Sequence, residues 1–334
     1  MTPSGNFAVS ESCPKLRGEL LGRRTLANEK MVNLYIGITD YEWFRYLSAL
    51  PNVEEVNFWQ PGGRTNFKAL QPGELFLFKL HSPRNFIVGG GVFARADILP
   101  VSIAWDAFGI KNGAASLLEM RKRIAYYRNE PDDYRHDYSI GCRILNQPFF
   151  LPENQWIPVP ASWSPHIQQG RTYDTSQGDG RRLWDAILQR EAQQPTARIS
   201  IPRYGEPTLI RPRLGQGAFR VSVTDVYDRR CAVTGERTLP ILDAAHIRPY
   251  GQGGEHEVTN GLLLRTDIHR LFDLGYVTVS GDGKFEVGRR LKEDFENGKY
   301  YYAMNGQPIF WPKQTEQRPK REFLEWHQAN RFLG

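Results

Sequence analysis

The sequence predicts an α+β protein of two domains, and three observations carry that reading. After Met31, short apolar runs alternate with helical stretches as far as residue 150. A proline-punctuated stretch follows at 151–205, with Pro152, Pro158, Pro160, Pro165, Pro195 and Pro202. Beyond it, a strand-like run at 239–247 leads through a glycine turn to a helical apolar repeat. At 334 residues, the chain is long enough for about two domains and a sizeable core.

Residues 1–30 are polar and without pattern. They are expected to be a disordered tail or the product of an upstream start. The first domain is expected at 31–150. Val32-Asn33-Leu34-Tyr35-Ile36 reads as its first strand. Tyr41 to Leu50 reads as a short helix, with Asp40 as N-cap. Pro72-Gly73 is a turn, and Glu74 to Leu80 is a strand. Phe86 to Phe93 is a strand containing Gly89, Gly90 and Gly91, which mark a bulge, a bend or a close backbone approach. Ala114 to Tyr127 is a helix with a basic face, and Ile140 to Phe150 is a closing strand.

Glycine-bent strands are where small barrels curl. The arrangement resembles the PUA-like superfamily, which includes the EVE, ASCH, YTH and SRA domains. Asn57-Phe58-Trp59, the strand Gly73 to Leu80 and Val88-Gly89-Gly90-Gly91 carry the resemblance over about 120 residues. It implies a small β-barrel with helices that accepts one modified base flipped from the duplex. Such a pocket needs aromatic faces and a polar group for the base edge. Asp40, Tyr41, Trp43, Phe58 and Trp59 are the candidates. Each aromatic taken singly can equally fill the core.

Residues 151–205 read as a connector with one helix, Arg181 to Glu191. Between Ile201 and Cys231 lie Arg203, Arg211, Arg213, Arg220, Arg229 and Arg230, without a lysine. Leu214-Gly215-Gln216-Gly217 leads into a helix over Phe219 to Tyr227. Arginines and free amides at a helix start suit phosphate contacts. A solvated charged surface is the alternative.

The second domain is expected at 206–334, with a histidine-bearing segment to about 290 and hairpin and helix material after it. Leu324 and Trp326 are its expected packing residues. Three of the seven histidines lie in or beside its central segment. His246 ends the strand at 239–247, Gly251, Gly253 and Gly254 make a turn, and Leu262 to Phe272 has helical spacing. His246, Asn260 and His269 fall in that order, with eight residues between the last two. A strand–loop–helix hairpin of this kind can hold one divalent metal beside one base.

Ala244-Ala245-His246-Ile247, Gly253-Gly254, Asn260-Gly261-Leu262-Leu263-Leu264 and His269-Arg270-Leu271-Phe272-Asp273 resemble the HNH nuclease motif, the ββα-metal fold. The resemblance implies His246 as general base, Asn260 as the residue that fixes the loop, and His269 as a metal ligand. Many such enzymes carry an acidic ligand immediately before the first His, where this chain has Ala245. Side chains alternate along a strand, so Asp243 shares that face and is the candidate second ligand; Asp273 is a weaker competitor. One divalent cation per chain, Mg²⁺ or Mn²⁺, is implied. Many relatives also carry two Cys-x-x-Cys zinc pairs. Here only Cys13, Cys142 and Cys231 exist, so no structural zinc is expected and Cys231 to Gly235 reads as a tight turn. Arg265 and Arg270 flank the motif helix as further phosphate-contact candidates. His256, in the loop between His246 and Asn260, is placed where a role is open but is expected in solvent, and His81, His136, His166 and His327 are expected to be structural or exposed.

With 43 Lys+Arg against 37 Asp+Glu, the net charge of +6 fits a polyanion partner without identifying it. No apolar run is long enough to span a membrane, and three scattered cysteines make no disulfide framework. A cytoplasmic protein with no membrane partner is expected. The fusion of such a reader to an HNH cutter resembles modification-dependent restriction endonucleases. It implies cleavage of double-stranded DNA near a modified base, foremost modified cytosine, leaving 3′ hydroxyl and 5′ phosphate ends. Two alternatives stay open: a reader of backbone modifications or RNA, and a decayed nuclease that only binds nucleic acid. One active site per chain means that double-strand cleavage needs two nicks or two copies, so a homodimer is possible.

Overall fold

The computed structural model describes residues 32–64, 66–131, 136–193, 207, 209–210 and 214–334. The expected tail and Arg203, Arg211 and Arg213 lie outside these residues. In chain order the first lobe comprises β1 (Asn33–Thr39), α1 (Tyr41–Ser48), β2 (Glu55–Gln60), β3 (Leu75–Leu80), β4 (Phe86–Pro100), α2 (Val101–Phe108), α3 (Leu117–Arg128), β5 (Ser139–Phe150), β6 (Ile157–Pro158), β7 (Gly170–Asp174) and α4 (Gly178–Gln193). The second lobe comprises α5 (Gln216–Val226), β8 (Leu242–His246), β9 (Gly261–Arg265), α6 (Thr266–Asp273), β10 (Val277–Val279), β11 (Phe285–Val287), α7 (Arg290–Phe295), α8 (Lys299–Tyr302) and α9 (Arg321–Asn330).

Local rules set most boundaries. Asp40 starts α1 because its Oδ1 accepts the Trp43 N–H at 2.6 Å. Ser116 starts α3 the same way, accepting the Glu119 N–H at 3.2 Å. The glycines of β4 serve close approach and bulging. A Cβ on Gly89 would lie 2.2 Å from the Phe149 carbonyl oxygen, and the β4–β5 register shifts between Gly90 and Val92.

The first lobe is built on one sheet in the order β2-β5-β4-β3-β1-β7, with β6 on β4. Among the described strands of this sheet, only β1 and β3 run parallel. Among the described residues no pairing joins β2 to β7, so the expected closed barrel is not shown. The glycines that predicted curling report local bends, not which strands meet. Of the stretch read as a connector, the described part, 151–193, also belongs to this lobe. β7 pairs with β1, and Trp184 and Ile187 of α4 enter the core with Leu34, Ile36 and Leu77. Pro152, Pro160 and Pro165 sit between these short elements and Pro158 ends β6, which is why the stretch reads as linker by composition.

In the second lobe, β8 pairs antiparallel with β9, placing His246 opposite Gly261. The helical spacing assigned to Leu262–Phe272 is corrected here: Leu262, Leu263 and Leu264 form a strand, and the helix begins at Thr266. All three leucines are fully covered, a continuous apolar run that suits a strand buried on both faces. α9 packs beside β10. There Leu324 is buried, Trp326 is half-covered, and the expected structural role of His327 takes shape. His327 Nε2 donates to the Phe272 carbonyl at 3.0 Å, and Nδ1 meets the Thr278 hydroxyl at 2.9 Å.

α5 belongs to both lobes. Ala218 and Val221 pack into the core around Trp59, Val101 and Phe108, while Phe219 and Val223 pack with Ala245, Leu262 and Ile268. Residues 32–334 accordingly form one contact-dense unit.

Candidate active site

β8, β9 and α6 bring the sequence candidates together. Asp243, on β8, places Oδ2 3.5 Å from Nδ1 of His269 on α6. The other ring nitrogen, Nε2, lies 3.4 Å from Oδ2 of Asp273, one turn on. The His269 hydrogen bond is the main influence that lowers the Asp243 carboxyl pKa, with Arg220 adding to it. An anionic oxygen and an imidazole nitrogen so close suit a hard divalent cation that completes its shell with water and phosphate oxygens. Among the described residues, no group of three or more His, Cys, Asp or Glu side chains gathers for a metal. The protein therefore offers two donors, with Asp273 beside them.

His246 stands at the end of β8 with its ring stacked on Phe219 of α5, 3.9 Å between centroids and 13° between planes. Burial, reinforced by the nearby His256 and His269, pushes its pKa down to about 4. The ring is neutral near pH 7 and free to accept a proton. Its Nε2 lies 2.8 Å from Nδ1 of His256. Contrary to the solvent expectation, His256 is half-buried and stacks under Tyr250 at 4.7 Å. If Nε2 of His246 carries the proton and donates, its Nδ1 is left as the acceptor. Sequence reasoning missed this partner because the nine residues between them have no regular period.

Asn260 is fully buried and ties that loop shut. Its Oδ1 accepts the Arg248 N–H at 2.9 Å. Its Nδ2 donates to the carbonyls of Arg248 and Glu255 at 2.9 and 3.0 Å. The Ile247 N–H bonds its backbone oxygen at 3.0 Å, which anchors the residue next to His246.

Several phosphate candidates are otherwise engaged. Arg220 pairs with Asp106 of α2 and, at 3.4 Å, with Asp243. The start of α5 is not open to an anion: the Gly217 and Ala218 amides already bond Glu55 at 2.7 and 2.9 Å. Arg265 grips Asp267 with two bonds of 2.7 Å and reaches Tyr300. Each is drawn to a carboxylate nearer than solvent. Arg270 is exposed, with no ion-pair partner among the described residues. Cys231 makes the expected turn, closed by the Gly235 N–H on its carbonyl at 3.0 Å with Gly235 at φ +71°.

In the first lobe, a cavity of about 990 Å³ opens where β1, β2, α3 and β5 end. Asp40, Trp43 and Trp59 line it, together with His81, Tyr127 and Arg143, which sequence reasoning did not single out. Tyr127 donates its hydroxyl to Asp40 Oδ2 at 3.3 Å, and burial pushes its pKa up to about 12. Arg143 donates to Gln60 Oε1 at 2.6 Å across the lining. The Trp59 indole N–H is held by the Asn112 carbonyl at 2.9 Å. Two candidates are corrected. Phe58 is core, packed against Phe76 with 4.6 Å between centroids. Tyr41 lies outside the cavity under the Arg84 guanidinium, 4.0 Å from the ring centroid. Both follow strand or helix neighbours whose faces the sequence alone does not orient.

No helix among the described residues is long and apolar enough to cross a membrane. No curated protein matches the chain. Among solved structures, the chain is similar to one described as a modification dependent TagI restriction endonuclease. The two are 12% identical over 89% of this chain and 81% of that one, with a TM-score of 0.29. Agreement at that level does not carry the fold. Residues 231–280, which hold His246, Asn260 and His269, match the family model described as HNH endonuclease.

Proposed function

We propose that the chain is a divalent-metal-dependent DNA endonuclease that cuts near a modified base, modified cytosine foremost. The observation that carries the reading is His246, a neutral imidazole beside the Asp243–His269 pair, inside the segment that matches the HNH endonuclease family.

In this reading, His246 Nδ1 takes a proton from water as that water attacks phosphorus. The bond from phosphorus to the 3′ oxygen breaks, a proton from solvent ends on that oxygen, and the products are a 3′ hydroxyl and a 5′ phosphate. His256 holds the Nε2 proton and so keeps Nδ1 the acceptor. Asn260 keeps the following loop closed. Asp243 and His269 would hold the cation, with Asp273 placed to join them. When bound, Mg²⁺ or Mn²⁺ would neutralise the charge that develops on the phosphate as it is attacked.

The cavity of the first lobe supports the reading of a base-accepting pocket. Trp43, Trp59 and Tyr127 offer aromatic edges, and Asp40, Gln60 and Arg143 offer polar groups at the rim or wall. The test is digestion of one plasmid with and without cytosine modification in Mg²⁺ or Mn²⁺. Preferential cutting of the modified plasmid is expected. Equal cutting of both moves the reader to another mark or to RNA, and no cutting of any substrate leaves a binding protein. Two nicks or two copies are needed for a double-strand break, and a homodimer would supply the second.

A further inference from the structure

Glu55 has no place in either candidate site, yet it is a fully covered carboxylate. It opens β2 in the first lobe and spends its acceptors on the second. Oε1 takes the Gly217 N–H at 2.7 Å and the Lys111 ammonium at 2.5 Å, and Oε2 takes the Ala218 N–H at 2.9 Å. Gly215 makes room for it, and Gly217 lets the helix approach α2 closely. A Cβ on Gly215 would lie 2.4 Å from the Glu55 carboxyl carbon, and one on Gly217 would lie 2.6 Å from the Phe108 ring. An anion at a helix start is favourable, and a buried one stays only where its acceptors are filled. Glu55 therefore fixes where α5 begins and how it is rotated.

The next two residues of that helix reach the nuclease groups. Phe219 stacks on His246 at 3.9 Å, and Arg220 reaches Asp243 at 3.4 Å while pairing with Asp106 of the first lobe. We propose that Glu55 is a positioning residue for cleavage: through α5 it sets the His246 ring and the Asp243 carboxylate, so the nuclease site is complete only when docked on the first lobe. This rests on the reading of His246 as the base. β2 itself runs from Glu55 to Trp59 and Gln60 in the cavity lining, so one six-residue strand joins the two sites.

The test uses the full chain with Glu55→Ala and Glu55→Gln. Two quantities are read per folded molecule: the single-turnover cleavage rate at saturating plasmid in Mg²⁺, and the imidazole resonances of histidine-labelled protein. Glu55→Ala should slow cleavage at least about tenfold while the Kd for DNA stays within about twofold. Glu55→Gln should fall between, since its amide oxygen still accepts one N–H. The His246 resonances, shifted by the Phe219 ring, should move in both variants, and those of His327 should not. Should Glu55→Ala fail to fold, Glu55→Gln, which keeps the volume, carries the test. A folded variant with a lowered melting temperature, unchanged rate and unmoved His246 resonances has lost only stability, and that result overturns the proposal. If the wild-type chain cuts no DNA, the nuclease reading fails by itself. The His246 resonances then decide the positioning role alone.

Discussion

The two candidate sites differ in how the chain builds them. The nuclease groups come from one continuous segment: His246, Asn260, His269 and Asp273 all lie on β8, β9, α6 and the loop that joins them. The cavity of the first lobe is gathered from the end of β1, from β2, α3 and β5, and from a loop at 168–169. A local site keeps its spacing under any arrangement of the rest of the fold. A dispersed site exists only once the sheet has set the register. The difference teaches that sequence identifies chemistry best where one supersecondary unit holds it, and the experiments below are ordered by how strongly they would break that contrast.

The largest effect is expected at His246. Replacing it with Ala removes the proton acceptor and should lower the cleavage rate by a factor on the order of 10²–10⁴. DNA binding and cooperative melting should persist, because the ring packs on the lobe's edge and not at its centre. Near-normal single-turnover cleavage by this variant would remove the local site altogether. Asp243→Asn should weaken cation affinity, read by titration, more than DNA affinity. If it does not, Asp273 on the other side of the His269 ring is the ligand to test.

The second effect concerns acid. His246 and His327 both belong to the second lobe, and burial pushes each down to about 4. Both are neutral in the folded protein well below the pH at which an unfolded chain takes up protons. The unfolded state therefore binds more protons between about 6.5 and 4, and stability falls as pH drops through that window. For the fully covered His327 the loss is on the order of 3 kcal/mol. Urea midpoints measured from pH 7 to pH 4 should fall, and His327→Gln should flatten the slope. An unchanged midpoint across the window would show that neither ring is held neutral by the fold.

These two lobes also mark how far the sequence could be read. The order His246, Asn260, His269 and the candidate Asp243 were legible because a strand, a tight loop and a helix fix them within 27 residues of chain. The Leu262–Leu264 run was not: three adjacent leucines fit a buried strand and a helix equally, and only pairing with β8 decides. His256 was missed because an irregular loop returns it to His246 at 2.8 Å. Glu55 was invisible for a different reason, since its partners lie 162 and 163 residues away. In the first lobe, the cap at Asp40 and the glycine bulges were readable as local rules. Which aromatics face the cavity was not, because Phe58 and Trp59 are adjacent on one strand and only the sheet assigns their faces.

A smaller effect separates those two aromatics. Trp59→Ala should reduce the preference for modified over unmodified DNA by about 1–3 kcal/mol, the worth of one stacking face. Phe58→Ala should instead cost about 3–5 kcal/mol of stability by emptying a core position. Trp59 is itself buried and packs with Val101 and Phe108, so its variant also loses stability, and its preference is read only on protein that still melts cooperatively. Competition binding reads the first and thermal melting the second. If Trp59→Ala keeps the full preference while melting normally, the cavity does not read a base through this residue.

The smallest effect is expected at Arg270, and it tests how the local site meets DNA. Of the arginines nominated from sequence, Arg220 and Arg265 are held by carboxylates, whereas Arg270 projects from α6 with no ion-pair partner among the described residues. A free guanidinium one residue from His269 is placed to neutralise one phosphate. Arg270→Ala should therefore weaken binding to modified and unmodified DNA alike, since phosphate contacts carry no base information. The slope of log K against log salt should become shallower by about one. Arg265→Ala, which breaks an internal pair, should leave that slope unchanged and act on stability instead. Arg270 also lies in the last turn of α6, where a cation favours the helix by about 0.3–1 kcal/mol. Melting of the variant must be followed so that this loss is not counted as binding. A salt slope unchanged by Arg270→Ala, and reduced by Arg265→Ala, would mean that the carboxylate pairs open on DNA and that the free arginine is only a helix-end charge.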